Sequence, residues 1–199
     1  MIGSGKTAEV YELDPGKVLK LFYEYTGENL NQYESTVGQA IYDAGVPAPR
    51  VYEQIQTDGR SGIIMENAGK NSMFTNIERR PWAIVHYARE MARLHAKMHS
   101  CQSDKLISQY EVIKSKISIS ADLLGDKTAQ ILDYLEALPD GMSICHGDLH
   151  PKNIFNSARG CIAIDWADAY YGNRAGDVAR AALVLVSPHV PADTGFFFR

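Results

Sequence analysis

The chain has 199 residues, 45% of them hydrophobic and 22% charged, which is ordinary globular composition with enough length to bury one sizeable core. A formal net charge of -4 and a pI near 5.9 give no broad attraction for phosphate backbones or anionic lipid, so neither nucleic acid nor a membrane surface is an expected partner. The three scattered cysteines form no C-x-x-C pair, no apolar run approaches the ~20 residues that span a bilayer, and the first residues carry no secretory hydrophobic stretch, so a cytoplasmic location is expected.

Ala8 to Leu13 alternates like a half-buried strand, Asp14-Pro15-Gly16 is a turn, and Val18 to Phe22 reads as the returning strand of a hairpin. From about Leu30 to Ala44 the period becomes helical, with Val37, Ile41 and Ala44 on one stripe and Gly45 and Pro47 as stop signals. Val51 to Gln56 and Gly62 to Glu66 read as two further strands joined through Asp58-Gly59. A polar stretch from Asn67 to Arg80 breaks the pattern and marks a lobe boundary near residue 68. Beyond it, Ile84 to His99 is a periodic helix carrying Ile84, Ala88, Met91, Leu94 and Met98, and Lys127 to Leu138 is a second. Two short strands follow, Ile154-Phe155 and Cys161 to Ile164, and Ala175 to Val186 reads as a buried helix.

The segment His146-Gly147-Asp148-Leu149-His150-Pro151-Lys152-Asn153 packs an acid, two imidazoles and a carboxamide into a stretch that Gly147 and Pro151 keep from being helical. Twelve residues past Asn153, Asp165 ends an apolar strand just before Trp166. Phosphoryl transfer needs one or two oxygen ligands to hold Mg²⁺ against nucleotide phosphates, and Asn153 with Asp165 supplies them. It also needs a separate carboxylate to accept the proton of the attacking hydroxyl, a role that fits Asp148.

These motifs resemble the catalytic loop and the metal-binding segment of aminoglycoside phosphotransferases and choline kinase-like enzymes. The resemblance covers nearly the whole chain. Gly3-Ser4-Gly5-Lys6-Thr7-Ala8-Glu9-Val10-Tyr11 is similar to their nucleotide-covering loop, and Val18-Leu19-Lys20 to the strand bearing the phosphate-contacting lysine. What it implies is a single α+β domain of two-lobed, protein kinase-like fold, with a small antiparallel sheet and one helix over residues 1–68 and a mainly helical lobe over 69–199. It further implies that Gly3, Gly5 and Lys20 meet the nucleotide phosphates, that Glu34 pairs with Lys20, and that backbone groups of Glu66 and Ala68 meet the adenine. Asp177 would support the catalytic loop from behind. The expected donor is ATP, with GTP also compatible, together with Mg²⁺, and the expected acceptor is a small-molecule hydroxyl.

Plainer readings apply elsewhere. His86, His95 and His99 recur on or beside a helical face and read as structural, and His146 as a residue that fixes its loop. Gly5-Lys6-Thr7 imitates the end of a Walker A loop, but the earlier glycine and its strand are absent and a hairpin follows. The histidines of the loop lack a second cluster that would complete a zinc or dinuclear centre. Against protein kinases, Gly147 replaces the arginine before the catalytic aspartate and Trp166-Ala167 replaces Phe-Gly, which favours a small-molecule acceptor over a peptide. A first strand almost absent and an end in Gly195-Phe196-Phe197-Phe198-Arg199 suggest a chain cut short at both ends. The rival expectation is therefore a catalytically inactive remnant or nucleotide-binding module.

Overall fold

The computed structural model describes residues 1–5 and 7–187, and of residues 28–30 the backbone alone. Lys6 and the closing segment 195–199 singled out in the sequence lie outside the described residues.

The chain opens with an antiparallel sheet of five strands in the order β1-β2-β3-β5-β4: β1 Gly3–Ser4, β2 Ala8–Asp14, β3 Lys17–Phe22, β4 Val51–Thr57 and β5 Arg60–Glu66. The β4–β5 turn is Asp58-Gly59, both at positive φ (51° and 74°), the geometry that lets a two-residue loop follow the twist of its strands. Between the hairpins runs α1, Glu28–Asp43, which packs against β4 and β5. It buries Glu34, Val37, Ala40 and Ile41 and stops where Gly45, at φ 81°, allows the Val46 amide to reach back to the Ile41 carbonyl.

The polar stretch after β5 is not featureless, because it contains α2, Met73–Arg79. Ser72 caps that helix by accepting from the Thr75 amide at 3.1 Å, and Met73 and Ile77 bury one side of it. The following helix, α3, spans Ile84–His99 as its periodicity predicts, but the inward stripe is Tyr87, Leu94, His95 and Met98. Leu94 and Met98 are buried and Met91 packs on the core, as expected, but Ile84 and Ala88 face outward and Tyr87 takes their place in the first turns. Three helices complete this region, α4 Gln109–Ile119, α5 Ala121–Leu124 and α6 Lys127–Glu136, and of these α4 and α5 have no counterpart in the sequence reading.

Two small antiparallel pairs then frame the polar loop. β6, Ser143–Cys145, pairs with β9, Tyr170–Gly172, and β7, Ile154–Ser157, pairs with β8, Gly160–Ala163. The last helix, α7 at Arg174–Val186, is capped by Asn173 and buries only Asp177 and Ala181. The expectation of a buried helix is thus corrected: Leu183, Leu185 and Val186 are exposed, because the helix meets the rest of the molecule along one narrow stripe.

One apolar cluster runs from Val37, Ile41 and Val46 at the base of the sheet through Met73, Ile77 and Met98 to Ile144, Leu149, Ile154 and Trp166 around the polar loop. The sheet holds a second, smaller cluster of Ala8, Phe22 and Ile63, with Val51 and Met65 packed against it. Among the described residues, no helix is long and apolar enough to cross a membrane.

Candidate active site

The polar loop leaves β6 at His146, whose ring is fully buried. Burial pushes its pKa down, so it is neutral, and its two nitrogens do different work. Nε2–H donates to the Ile164 carbonyl at 3.0 Å, and Nδ1 accepts the Asp148 amide at 3.3 Å. One imidazole thereby ties Asp148 to the residue immediately before Asp165. Gly147 adopts φ 76° with the Asp168 carbonyl 2.2 Å from where a Cβ would sit, so the turn admits no other residue without displacement. Leu149, 1% exposed, pins the loop to the apolar cluster.

Beneath the loop lies Asp177, on the first turn of α7. Its Oδ1 accepts the Gly147 amide at 2.9 Å, while Oδ2 accepts the His146 amide at 3.0 Å, His95 Nε2 at 3.0 Å and His99 Nε2 at 2.9 Å. Burial by itself raises a carboxyl pKa, but the hydrogen bonds from His95, His99 and the two amides outweigh it and hold Asp177 well below the carboxylate range. Two of the three histidines read as structural from the sequence, His95 and His99, are therefore partners of this anchor, while His86 lies against Tyr87. Arg180, one turn further along α7, donates through Nε to the Gly147 carbonyl and brings its guanidinium to 3.7 Å from Asp148 Oδ1. No reading of the sequence singled out Arg180, although its i, i+3 spacing from Asp177 places both on one helix face.

The Asp148 carboxylate is partly exposed, with His150 Nε2 at 3.6 Å from Oδ2 and Arg180 on the other side. The His150 contact, offset in part by burial and reinforced by Arg180, holds its pKa below the ordinary value, so it presents an ionised acceptor. Asn153 sits in the short helical turn Pro151–Asn153, its Nδ2 donating to the Asp148 carbonyl at 3.1 Å. That bond orients the carboxamide and leaves Oδ1 as the group on offer. The β7–β8 register sets Ile154 opposite Ala163, and the Ile164 amide donates to the Asn153 carbonyl at 2.9 Å, which brings Asn153 and Asp165 side by side. Asp165 itself takes φ 66°, an unusual conformation outside glycine that ends the strand and turns its side chain out of the ladder. Two hard oxygen donors, with no thiolate or imidazole between them, suit Mg²⁺ better than zinc.

From the sheet, Lys20 reaches across to this pair. Its Nζ contacts Glu34 Oε1 on α1 and lies 3.3 Å from Asp165 Oδ1. Burial alone would lower the Lys20 pKa, but the Glu34 and Asp165 carboxylates outweigh it and the ammonium is held above its ordinary value. Burial pushes Glu34 up, against the pull of Lys20. Lys20, Glu34 and Asp165 thus meet where the sheet faces the helical lobe.

The remaining expected contacts are placed less tightly. Gly3 lies in β1, paired with Val10, and a Cβ there would meet nothing within 4 Å among the described residues. Gly5 donates its amide to Ala8 at 2.8 Å, and neither glycine uses positive φ. The Glu66 amide is occupied by the Arg50 carbonyl at 2.8 Å, and its carboxylate binds Arg159 and the Arg50 amide. That narrows the expected adenine contacts to the Glu66 carbonyl and the backbone of Ala68.

A five-stranded sheet with one helix, a helical lobe, and a lysine–glutamate pair facing an aspartate–asparagine loop define a protein kinase-like fold. The sequence matches the phosphotransferase enzyme family, APH, over residues 2–196, and the chain belongs to that family. Among solved structures, a thermostable mutant of aminoglycoside phosphotransferase APH(4)-Ia superposes with a TM-score of 0.63 at 16% identity, covering 89% of this chain and 69% of that one. A choline/ethanolamine kinase family protein from Mesorhizobium loti gives 0.64 at 15%, covering 90% and 62%. Aminoglycoside-3'-phosphotransferase of type VIII gives 0.62 at 21%, covering 92% and 75%. The chain therefore spans between three fifths and four fifths of the length of these structures. Comparison with curated proteins finds no match.

Proposed function

We propose that this protein transfers the γ-phosphoryl group of ATP, or of GTP in its place, to a hydroxyl of a small molecule. One observation carries the reading. His146 and Asn153 knit Asp148, Asn153 and the Asp165 strand into a single unit, with Lys20 arriving from the opposite lobe. Solved structures that share the fold support the ligand classes: one APH(4)-Ia structure holds ADP and hygromycin B, and the amicoumacin kinase hAmiN is in complex with AMP-PNP, Ca2+ and Ami.

In this reading Asp148 accepts a hydrogen bond from the acceptor hydroxyl and aims its oxygen at the γ-phosphorus. With its pKa held low, Asp148 is a weak base, so the proton passes to it late, as the new P–O bond forms and the bond to the β-phosphate oxygen breaks. ADP and the phosphorylated alcohol are the products. Lys20, kept charged by Glu34, takes the α- and β-phosphates. Asn153 Oδ1 and the Asp165 carboxylate would hold a divalent cation, which when bound neutralises phosphate charge. Gly3, Gly5, the Glu66 carbonyl and Ala68 would cover the nucleotide. Residues 1–68 would form the nucleotide lobe and 69–199 the catalytic lobe of one domain.

The test is a nucleotide-consumption screen over aminoglycosides, choline-like amines and sugars, run with wild type and Asp148→Ala together. At least one acceptor should give turnover that the variant lowers by about 10² or more. Nucleotide binding with equal background turnover in both proteins would instead identify a nucleotide-binding module.

A further inference from the structure

On the phosphoryl transfer proposed above, the acceptor hydroxyl must reach Asp148, and Arg180 is a cation it meets there. The planar guanidinium has two usable edges. One faces the loop: Nε donates to the Gly147 carbonyl, and Nη2 lies 3.7 Å from Asp148 Oδ1, close enough for charge attraction but too long for a hydrogen bond. The other edge, Nη1 with the outer hydrogen of Nη2, donates to no described residue. The Arg180 side chain is 43% exposed and that of Asp148 34%, so both stand open to a molecule arriving from solvent. On the far side, Asp148 Oδ2 faces His150 Nε2 at 3.6 Å. An acid that could serve a cationic acceptor is Asp168, whose carbonyl packs on Gly147, but its carboxylate is already held by Lys116 of α4 at 3.1 Å. Beside Asp148, then, a fork of N–H donors is on offer, while the neighbouring carboxylate is paired.

We propose that Arg180 selects the acceptor by binding an anionic group on it, so that the substrate class is a compact hydroxy acid, an alcohol carrying a carboxylate a few bonds from the reacting hydroxyl. A guanidinium fork matches a carboxylate through two parallel N–H···O bonds. With Nη2 at 3.7 Å from Asp148, an anion held on the outer edge and a hydroxyl held on Asp148 belong to neighbouring parts of one small molecule. Attachment at both points fixes the direction of the hydroxyl oxygen, which a single hydrogen bond to Asp148 leaves free to swing. A polyamine or a quaternary ammonium would instead meet like charge at this place.

The experiment measures nucleotide consumption with acceptors in pairs that differ by the carboxylate alone: glycerate against ethylene glycol, serine against ethanolamine, and 3-hydroxybutyrate against propan-2-ol. In at least one pair the acid should be preferred in kcat/KM by about tenfold or more, the worth of a charge-assisted hydrogen bond. Arg180→Gln should remove that preference by raising KM for the acid, with the nucleotide KM unchanged. If Arg180 only props the Gly147 carbonyl, the variant lowers kcat for both members of a pair alike and leaves the preference intact, and the inference falls. Turnover confined to amines, aminoglycosides or plain sugars, with every acid at background, overturns the acid class while phosphoryl transfer stands. Should no acceptor turn over, it is phosphoryl transfer that fails, and amide NMR titration of the whole chain with the same pairs decides the anion site. Saturable shifts at Gly147, Asp148 and Arg180 with an acid and not with its partner, lost in Arg180→Gln, support it, and equal or absent shifts overturn it.

Discussion

The loop at residues 146–153 and the segment at residues 3–8 are both expected to touch the nucleotide's phosphates or their cargo, yet they are built in opposite ways. The first is held by a buried carboxylate with four donors, a neutral imidazole with two partners, and a glycine whose Cβ would run into the Asp168 carbonyl. The second opens with a two-residue strand, β1, and a Cβ at its first glycine would meet nothing within 4 Å among the described residues. Groups that must hold a reacting oxygen within a fraction of an ångström need a stiff support, whereas a covering segment must let nucleotide in and out. The contrast implies that substitutions in the two regions have very different costs.

Removing the anchor should have the largest effect. Asp177→Ala strands two buried amides and two imidazole N–H groups, and we expect a loss of about 3–5 kcal/mol in urea denaturation, with activity lost alongside. A loss under about 1 kcal/mol would show that the network is replaceable by water. Gly147→Ala comes next, since a Cβ at φ 76° would run into the Asp168 carbonyl, and about 2–3 kcal/mol of destabilisation is expected. Unchanged melting of that variant would mean the turn can relax.

The acid limb of stability sharpens the comparison further. The folded-state pKa of Asp177 lies below that of the unfolded chain, so in the interval between them the unfolded state binds more protons. Its contribution is complete above about pH 4, near the unfolded carboxylate value, and is lost as pH falls from there toward the depressed folded pKa. Asp177→Asn should flatten that part of a pH–stability curve, and a slope as steep as wild type would assign acid unfolding to other groups. The smallest effect is expected at residues 3–8. Gly3→Ala strikes no atom among the described residues and violates no positive φ, so stability should move by no more than about 0.5 kcal/mol, and a larger shift in thermal melting would refute the open placement of β1.

What could be read from the sequence followed how local the signal was. Asp148, Asn153 and Asp165 stood out because the loop compresses its chemistry into eight residues and the strand before Asp165 fixes its direction. The β4–β5 hairpin was visible in Asp58-Gly59, a dipeptide suited to positive φ. Helix α4 was missed although Ser108 and Glu111 form a start signal, because none of its residues is buried and its apolar pattern is weak. Helix α2 hid because Met73 and Ile77 alone carry its inward side. The partnership of His95 and His99 with Asp177 spans 82 and 78 residues, and no periodicity announces a contact of that range. On α3 the expected stripe held at Met91, Leu94 and Met98 but failed in the first turns, where Tyr87, with its amphipathic ring, was passed over in favour of Ile84 and Ala88.

The apolar cluster that joins Val37, Ile41 and Val46 to Ile144, Leu149 and Ile154 has a consequence for how the molecule comes apart. Severing the chain near residue 68 would tear that interior in half and expose apolar side chains on both fragments, so neither would persist alone. Heat should dismantle both lobes in one cooperative step, and any opening of the crevice must come from bending around this shared interior while its packing stays intact.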